Sequence, residues 1–405
     1  MNSTLKLSII FILLLGLNLT FPHLMINISI RIWEKGIHTS IGSIKTKQLV
    51  ESEKIHIVGN SGWNDFKNAG NCTGSGTTTD PYVIENLTIN AEETGDCIYI
   101  GHSNVYFIIR NCLLINAGPD WYNGGIKLDN CENGFLTENN CLFNFGEQSD
   151  GIHILSSSKI TILNNNLHGN WYGIYLGYSH SINVSDNLLT ENFVGMRIYN
   201  SDHNTFSNNI VNNSKFSGIF IYESDDNLVL GNSLISNRDA IPLLESNSNI
   251  ISGNNLWNNE ENGIELIRSN NNYLSENNVN KNHKNGIFFR DQSDYNTVID
   301  NVIEYNWESG IYMEESHNNG ILDNYIKRNR IGLELSSSNL NKITNNELIH
   351  NWRCFLIQNS ENNTIYSNTC KEYIYTSDLD LILPFTFLLF CVAIFTLLIH
   401  KKIKS

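Results

Sequence analysis

The sequence has few of the residue patterns that bind metals or cofactors. The spacings CxxC and HxxxH do not occur, there are four methionines, and the twelve histidines are scattered along the chain. Zinc and copper sites need clustered cysteine, histidine or methionine ligands. We therefore expect no metal and no other cofactor, and we interpret the cysteines as structural thiols or disulfides.

Basic residues are also scarce. Lysine and arginine total 26 against 41 aspartates and glutamates, which gives a net charge of −15. Because phosphate binding needs a basic face, nucleic acid is not expected as a partner. The acidic balance is compatible with solubility outside the cell or with cation binding.

A repeat runs through most of the chain. Its step residue precedes a short aliphatic run, and most steps are 22 to 24 residues long. The step residues are Cys97, Gly125, Gly151, Gly173, Gly195, Gly218, Ala240, Gly263, Gly286, Gly310, Gly332 and Cys354. A period this regular is typical of repeat architectures.

An asparagine follows each step residue at a nearly constant distance. These asparagines are Asn111, Asn139, Asn165, Asn187, Asn209, Asn232, Asn254, Asn277, Asn301, Asn324, Asn346 and Asn368. A serine also recurs earlier in most repeats, as in Ser224 and Ser246. Amides at one position of stacked coils can hydrogen-bond to each other, so we predict an asparagine ladder with a structural role.

The segments between the polar positions are short and alternate in hydrophobicity. Ile219 and Ile221 are followed by Val229 and Leu234, and other repeats follow the same pattern. Such segments are typical of strands, and none has a helical stripe long enough to compete. Three short strands per repeat cannot form a core alone, but stacked coils can. We predict an all-β parallel solenoid of roughly 12–14 coils.

The repeated motifs resemble the right-handed parallel β-helix proteins of the pectate-lyase-like superfold, and most closely the NosD-like branch. "GIYL", "GIFI", "GIEL" and "GIYM" steps with "SDN", "LGN", "SEN" and "LDN" turns carry this resemblance over about residues 55 to 370. The resemblance implies a right-handed β-helix. It implies little about activity, since this fold carries lyases, hydrolases, epimerases, adhesins and a copper-site maturation factor.

The two ends of the chain contain apolar segments. Residues 1–22 have the length of a signal peptide or an N-terminal anchor, and these alternatives stay open. Residues 381–399 lack charge and are followed by Lys401, Lys402 and Lys404, which predicts a transmembrane helix with the tail 400–405 in the cytoplasm. Between them we expect a cap or linker at 23–54, the β-helix at 55–370 and a linker at 371–380. The predicted location is the cell membrane, with one C-terminal anchor and the β-helix outside the cell.

The cysteines cluster near the two ends of the predicted β-helix. Cys72, Cys97, Cys112, Cys131 and Cys141 lie near the first coils, and Cys354 and Cys370 lie near the last. An extracytoplasmic location permits disulfides, whose pairing the sequence leaves open.

The second residue after each step residue should face solvent, because its neighbours point inward. This outward column includes Lys127, His153, Tyr175, Arg197 and Phe220. The longest repeats add the segments 116–124 and 145–150, which should form loops beside it. Exposed cationic, imidazole and phenolic groups therefore meet a loop-built rim only around residues 125 to 197.

Three functions fit this column, and binding is favoured over catalysis. In the binding hypothesis, a glycan or a cell-surface protein contacts Trp171, Tyr175, Arg197, Tyr199, Phe220 and Tyr222. In the enzymatic alternative, a uronate lyase or epimerase uses Lys127, His153, Tyr175 and Arg197. The resemblance implies a second alternative, a NosD-like copper-site maturation factor. The "NTD", "GHG", "RIK" and "DPHE" motifs of related enzymes are absent.

Overall fold

The protein folds as a β-helix with three parallel sheets. The computed structural model describes residues 49–120, 122–144 and 149–373. Sheet A has 14 strands, and sheets B and C have 13 strands each. Each coil contributes one strand to sheet B, then one to sheet C and one to sheet A. The predicted right-handed parallel β-helix and its number of coils are confirmed.

The strands are short and regularly spaced. Sheet A contains β1 Val50–Glu51, β4 Leu87–Asn90, β7 Leu113–Ile115, β10 Asn140–Leu142, β13 Asn166–His168, β16 Leu188–Thr190, β19 Ile210–Asn212, β22 Ser233–Ile235, β25 Asn255–Trp257, β28 Asn278–Asn280, β31 Val302–Glu304, β34 Tyr325–Lys327, β37 Glu347–Ile349 and β40 Thr369–Lys371. Sheet B contains β2 Ile55–Val58, β5 Ile98–Ser103, β8 Gly124–Cys131, β11 Asp150–Leu155, β14 Tyr172–Gly177, β17 Val194–Tyr199, β20 Ser217–Tyr222, β23 Ile241–Leu244, β26 Ile264–Ile267, β29 Ile287–Arg290, β32 Ser309–Glu314, β35 Ile331–Ser336 and β38 Arg353–Gln358. Sheet C contains β3 Tyr82–Glu85, β6 Phe107–Arg110, β9 Gly134–Thr137, β12 Thr161–Leu163, β15 Asn183–Ser185, β18 Thr205–Ser207, β21 Leu228–Leu230, β24 Ile250–Ser252, β27 Tyr273–Ser275, β30 Thr297–Ile299, β33 Gly320–Leu322, β36 Lys342–Thr344 and β39 Thr364–Tyr366.

The core is a column of aliphatic side chains along the axis. In one central coil Ile219, Ile221, Val229 and Leu234 are fully buried, and burial of each contributes about 1.5–3 kcal/mol. The step residue is small because the core leaves little space for a side chain at this position of the sheet B strand. A Cβ atom on Gly218 would lie 2.6 Å from Leu234 Cδ2.

The predicted asparagine positions form a ladder at the corner between sheets C and A. Nδ2 of Asn232 donates to Oδ1 of Asn254 at 3.0 Å and to the carbonyl oxygen of Phe206 at 2.9 Å. The same side-chain bond links successive members from Asn139 to Asn368. These members are Asn139, Asn165, Asn187, Asn209, Asn232, Asn254, Asn277, Asn301, Asn324, Asn346 and Asn368.

Asn111 does not belong to this ladder, contrary to the prediction. Its φ is 49°, and its Nδ2 donates to Asn86 Oδ1 at 2.8 Å. The backbone N–H of Cys112 instead donates to Asn139 Oδ1 at 3.1 Å, so Cys112 occupies the ladder position in that coil. The sequence pattern is shifted by one residue there.

Two further corners contain ladders that the sequence analysis did not identify. Between sheets A and B the ladder includes Asn144, Asn170, Asn192, Ser214, Asn237, Asn259, Asn282, Asn306, Asn329 and Asn351. Between sheets B and C, Asn204, Asn227, Asn249, Asn272, Asn296, Asn319 and Asn341 accompany the serines. Polar side chains therefore satisfy buried backbone groups at all three corners.

One helix, α1, spans Gly59–Asn68 and was not predicted. Its buried Trp63 stacks on Tyr82 at 5.0 Å and packs against Phe107, the first inward rings of sheet C. Nε1 of Trp63 donates to Ser103 Oγ at 3.0 Å. The helix therefore supplies core side chains where the first coil is incomplete.

Several predicted segments lie outside the described residues. These are 1–22, most of 23–54, most of the linker 371–380, the predicted transmembrane helix 381–399 and the tail 400–405. Within the part of the chain that the structure describes, no helix has the length and hydropathy needed to span a membrane.

Candidate functional site

The predicted outward column follows the register of sheet B, and we call it the central column. Tyr99, Lys127, His153, Tyr175, Arg197 and Phe220 are direct neighbours in successive strands. The column continues as Pro242, Glu265, Phe288, Tyr312 and Glu334. Stacked parallel strands repeat at about 4.8 Å, so the column presents one side chain per coil along the axis.

A second column, the corner column, lies two residues before each step residue. Trp171 stacks on Phe193 at 4.0 Å, and Phe193 stacks on Phe216 at 5.8 Å. Arg238 then lies 5.4 Å from the ring of Phe216 and pairs with Glu261 at 3.0 Å. The corner column therefore changes from aromatic to charged along the axis.

Arg197 lies among aromatic rings. Its guanidinium carbon is 4.8 Å from the ring centre of Phe220, 5.6 Å from that of Tyr222 and 5.9 Å from that of Tyr172. Tyr199 and Tyr222 stack at 5.3 Å beside it. No carboxylate of the described residues forms an ion pair with Arg197, so its charge is available to an anion.

His153 is buried, whereas the sequence predicted an exposed side chain. It is 1% exposed, and its Nδ1 lies 2.7 Å from Oδ2 of the buried Asp150. Tyr175 stacks on the imidazole at 4.6 Å, and Tyr122 contacts it edge-on at 6.0 Å. The loop before β8 thus covers one side of His153, which alternation along the strand could not predict.

The Asp150–His153 pair has unusual protonation properties. Burial raises the pKa of Asp150 well above its ordinary range. Burial, helped by the charge of Lys127, lowers the pKa of His153 to about 3. Uncharged forms of both groups are therefore favoured. Within the part of the chain that the structure describes, Nε2 of His153 is buried without a hydrogen-bond partner.

The structure brings the predicted site residues together on one face of sheet B. Lys127, His153, Tyr175 and Arg197 occupy four consecutive coils. Trp171 belongs to the corner column beside Tyr175, while Tyr199 and Tyr222 lie on the other side of the central column. Of the two predicted rim loops, Trp121 and residues 145–148 lie outside the described residues.

A cavity of this face lies further along the axis than the predicted site. It has a volume of about 510 Å³ and lies between Phe216 and Tyr312. Phe220 is the only predicted site residue that lines it. The residue from which this cavity could have been predicted is Pro242, because it is a small member of the central column between Phe220 and Glu265.

One group of three possible metal ligands occurs in the described residues, comprising Cys354, Cys370 and Glu372. Cys354 and Cys370 form a disulfide, so their sulfur atoms are bonded to each other. Cys72, Cys97, Cys112, Cys131 and Cys141 are free thiols. Burial raises the pKa of Cys97 to about 12 and that of Cys112 and Cys131 to about 11.

Solved structures with a similar fold include carbohydrate-modifying enzymes. A double mutant of the periplasmic alginate epimerase AlgG aligns with a TM-score of 0.50 and 17% identity, over 71% of this chain and 75% of that chain. The A-module of a mannuronan C-5 epimerase from Azotobacter vinelandii aligns with a TM-score of 0.41 and 12% identity, over 76% and 91%. At such low identity the likeness concerns the fold alone.

The sequence itself identifies a family, although no curated protein matches it significantly. Three overlapping segments, 115–256, 212–332 and 237–378, match the family described as "Periplasmic copper-binding protein (NosD)". Because they cover more than half of its 405 residues, the chain belongs to the NosD family of β-helix proteins.

Proposed function

We propose that the protein binds an acidic polysaccharide along the outer face of sheet B. The observation that carries this proposal is Arg197, a guanidinium that is surrounded by three rings and has no carboxylate partner among the described residues. A guanidinium can bind a uronate carboxylate in bidentate geometry. The rings beside it supply flat apolar faces on which sugar rings can stack.

The arrangement of the face suits an extended chain better than a compact ligand. The stack of Trp171, Phe193 and Phe216 runs parallel to the central column over three coils. Because each coil offers similar groups at the same spacing, successive sugar units can make equivalent contacts. Lys127 and Arg197 would bind acidic groups at two points, three coils apart along the central column.

Calorimetry with oligogalacturonate, oligomannuronate and uncharged maltohexaose tests the proposal. We expect the wild type to bind an acidic oligosaccharide, and Arg197→Gln to weaken this binding about tenfold, because a charge-assisted contact is lost. Tyr175→Ala and Trp171→Ala should weaken it by a similar factor. Trp307→Ala is the control, since Trp307 is exposed and stacks on His283, five coils beyond Arg197 along the axis. The proposal is wrong if no saccharide binds, or if the three variants bind like the control.

A second candidate function is epimerisation or β-elimination of a uronate at Asp150 and His153. The observation that favours it is the buried, unpartnered Nε2 of His153 beside Lys127. Lys127 or Arg197 would neutralise the carboxylate, and His153 or Tyr175 would remove the proton from the adjacent carbon. Returning a proton to the opposite face gives the epimer, whereas breaking the bond to the leaving oxygen gives an unsaturated uronate.

This activity is measurable with the same acidic oligosaccharides. Elimination produces ultraviolet absorbance from the unsaturated product, and epimerisation changes the proton NMR signals of the sugar. His153→Ala and Lys127→Met should abolish either signal. An activity that survives the loss of Lys127, His153, Tyr175 and Arg197 would exclude this candidate.

Copper, which the family description names, does not fit the residues that the structure describes. The cluster of Cys354, Cys370 and Glu372 has its two sulfurs in a disulfide, and a disulfide lacks the thiolates that bind copper. We therefore derive no step through a metal. If the protein handled copper, the purified protein should retain one equivalent of the metal.

We further propose that residues 381–399 anchor the protein in the membrane with the β-helix outside the cell. The proposal is supported by their uncharged sequence and by the lysines that follow. The full chain should stay in the membrane fraction after alkaline extraction, whereas a chain ending at Tyr373 should be released. Release of both forms would contradict it.

A further inference from the structure

The cavity lies where the aromatic part of the sheet B face meets the charged part. Phe220 borders it at one end, and Phe288 with Tyr312 at the other, where the two rings stack at 4.9 Å with an interplanar angle of 4°. Pro242 and Glu265 lie between these rings, and the small side chain of Pro242 leaves the space next to Phe220 open. The cavity, about 510 Å³ in volume, is therefore bounded by apolar ring faces at both ends.

The floor of the cavity carries two polar groups available to a ligand. Asp239 Oδ1 accepts a hydrogen bond from the backbone N–H of Asn262 at 3.1 Å. Among the residues that the structure describes, no cation forms an ion pair with Asp239. Ser217 lines the same cavity, is 1% exposed and has an Oγ without a hydrogen-bond partner among the described residues. A buried hydroxyl without a partner is unfavourable, and a ligand hydroxyl would satisfy it.

The cations around the cavity are already paired. Glu261 binds both Arg238, at 3.0 Å, and Lys284, at 2.9 Å. Arg290 pairs with Glu265 at 2.9 Å. An anionic ligand would therefore meet carboxylates without a free cation. Arg197, in contrast, has no carboxylate partner among the described residues. The paired charges around the cavity therefore favour an uncharged, polyhydroxylated ring as its ligand.

We propose that this cavity is a subsite for an uncharged sugar residue, whose hydroxyls bind Asp239 and Ser217 and whose ring packs over Pro242 against the ring of Phe220. The proposal rests on the proposed function and specifies its ligand. Pro242 lies two coils beyond Arg197, which is roughly 10 Å along the axis. The polysaccharide is therefore one that contains both acidic and uncharged sugars.

Binding of the uncharged sugar depends on the protonation of Asp239, because an ionised carboxylate accepts two hydroxyl hydrogen bonds. The pKa of Asp239 is raised to about 7, mainly by burial and also by Glu265 and Glu261, while the N–H of Asn262 and the charge of Arg238 oppose the rise. Lys284 also interacts with this carboxylate. Affinity should therefore increase as the pH rises through neutrality.

The test measures binding of maltohexaose, cellohexaose and mannohexaose to the full-length protein at about pH 5.5 and about pH 8.5, with oligogalacturonate as the acidic probe. We expect one uncharged hexasaccharide to bind more tightly at the higher pH. Asp239→Asn should weaken that binding about tenfold and remove its pH dependence. Pro242→Phe, which places an aromatic ring where the sugar would lie, should abolish it. Both variants should bind oligogalacturonate within about twofold of the wild type.

The matched control is Asp300→Asn, which removes one exposed carboxylate from a turn between sheets C and A, where asparagine tolerates the φ of 55°. If oligogalacturonate binds and no uncharged hexasaccharide does, the subsite is wrong and the proposed function stands. If an uncharged hexasaccharide binds equally well to Pro242→Phe, the subsite is also wrong. If neither probe binds, both proposals fail.

Discussion

Asn232 shows how a single amide connects three coils. Its Nδ2 donates to Asn254 in the next coil and to Phe206 in the preceding one, while its Oδ1 accepts from the backbone N–H and Nδ2 of Asn209. Asn232 is 1% exposed, so water cannot replace any of these hydrogen-bond partners. The residue is therefore structural, and a role in ligand binding is not expected.

Replacing Asn232 by alanine should destabilise the protein by about 3 kcal/mol, since several hydrogen bonds are lost and the Asn209 donors stay buried. Urea denaturation followed by circular dichroism measures this change. Asn278→Ala is the control, because Asn278 is exposed and makes one side-chain bond to Asn255. Equal free energies of unfolding for the two variants would contradict the assignment.

Asp239 should make stability depend on pH in a predictable direction. The pKa is about 7 in the folded protein and near 3.8 without its environment. The folded protein holds the proton more tightly, so this stabilisation is complete below pH 3.8 and is lost as the pH rises through about 7. Asp239→Asn lacks this dependence. The free energy of unfolding of Asp239→Asn minus that of the wild type should be larger at pH 8 than at pH 4, by about 1–3 kcal/mol. Urea denaturation of both proteins at pH 4 and pH 8 measures this difference. An equal difference at the two pH values would contradict the prediction.

The sequence predicted much of the site at the residue scale because outward positions follow from strand alternation once the repeat is aligned. The column from Lys127 to Phe220 was found in this way. The burial of His153 was not, because it depends on contacts with Tyr122 in a loop and with Tyr175 in the next coil. The cavity was also missed, since it arises from the small volume of Pro242 and not from a conspicuous residue.

At the scale of elements, the two ends of the β-helix are built differently. At the first coil α1 places Trp63 in the core. In the last coil Ile357 and Ile365 are 43% and 37% exposed, although their neighbours Leu335 and Ile343 in the preceding coil are fully buried. The disulfide between Cys354 and Cys370 joins β38 to β40 in this coil. A covalent link thus restrains a coil that, among the described residues, packs on a neighbouring coil on one side only.

Replacing both Cys354 and Cys370 by serine should open the last coil without unfolding the rest. A closed loop of this size contributes about 3 kcal/mol in the chain-entropy model. Hydrogen exchange should become faster in β38, β39 and β40 and stay unchanged in β20, β21 and β22. Cys72→Ser removes a free thiol and is the control. Uniformly faster exchange along the chain would show that the disulfide stabilises the whole fold.

At the scale of the whole molecule, each coil contacts mainly its two neighbours. The sheets pair every strand with the equivalent strand one coil away, and the three corner ladders follow the same rule. Stability should therefore be the sum of similar coil contributions and interfaces. The regular period made this architecture predictable from sequence. Helix α1 lies before the regular repeat, so the period gave no information about it.

Inserting a second copy of residues 311–332 should lengthen the β-helix by one coil. The copy carries Ser316, Asn319, Asn324 and Asn329, so every ladder continues through it. We expect an unchanged circular dichroism spectrum per residue, and X-ray scattering should show a particle longer by roughly 4.8 Å. A copy of residues 311–321 alone is the control, because it places polar residues at core positions. Unfolding of the full-coil variant would refute the additive description.

The ladders have a direction, and this direction matters while the chain is being synthesised. The backbone N–H of Asn232 and one Nδ2 proton both donate to Asn254, which follows 22 residues later. A newly emerged coil therefore has donors that are satisfied only when its successor arrives. The growing end always presents the hydrogen-bonding groups that select the register of the next coil, so each coil is a template for the one made after it.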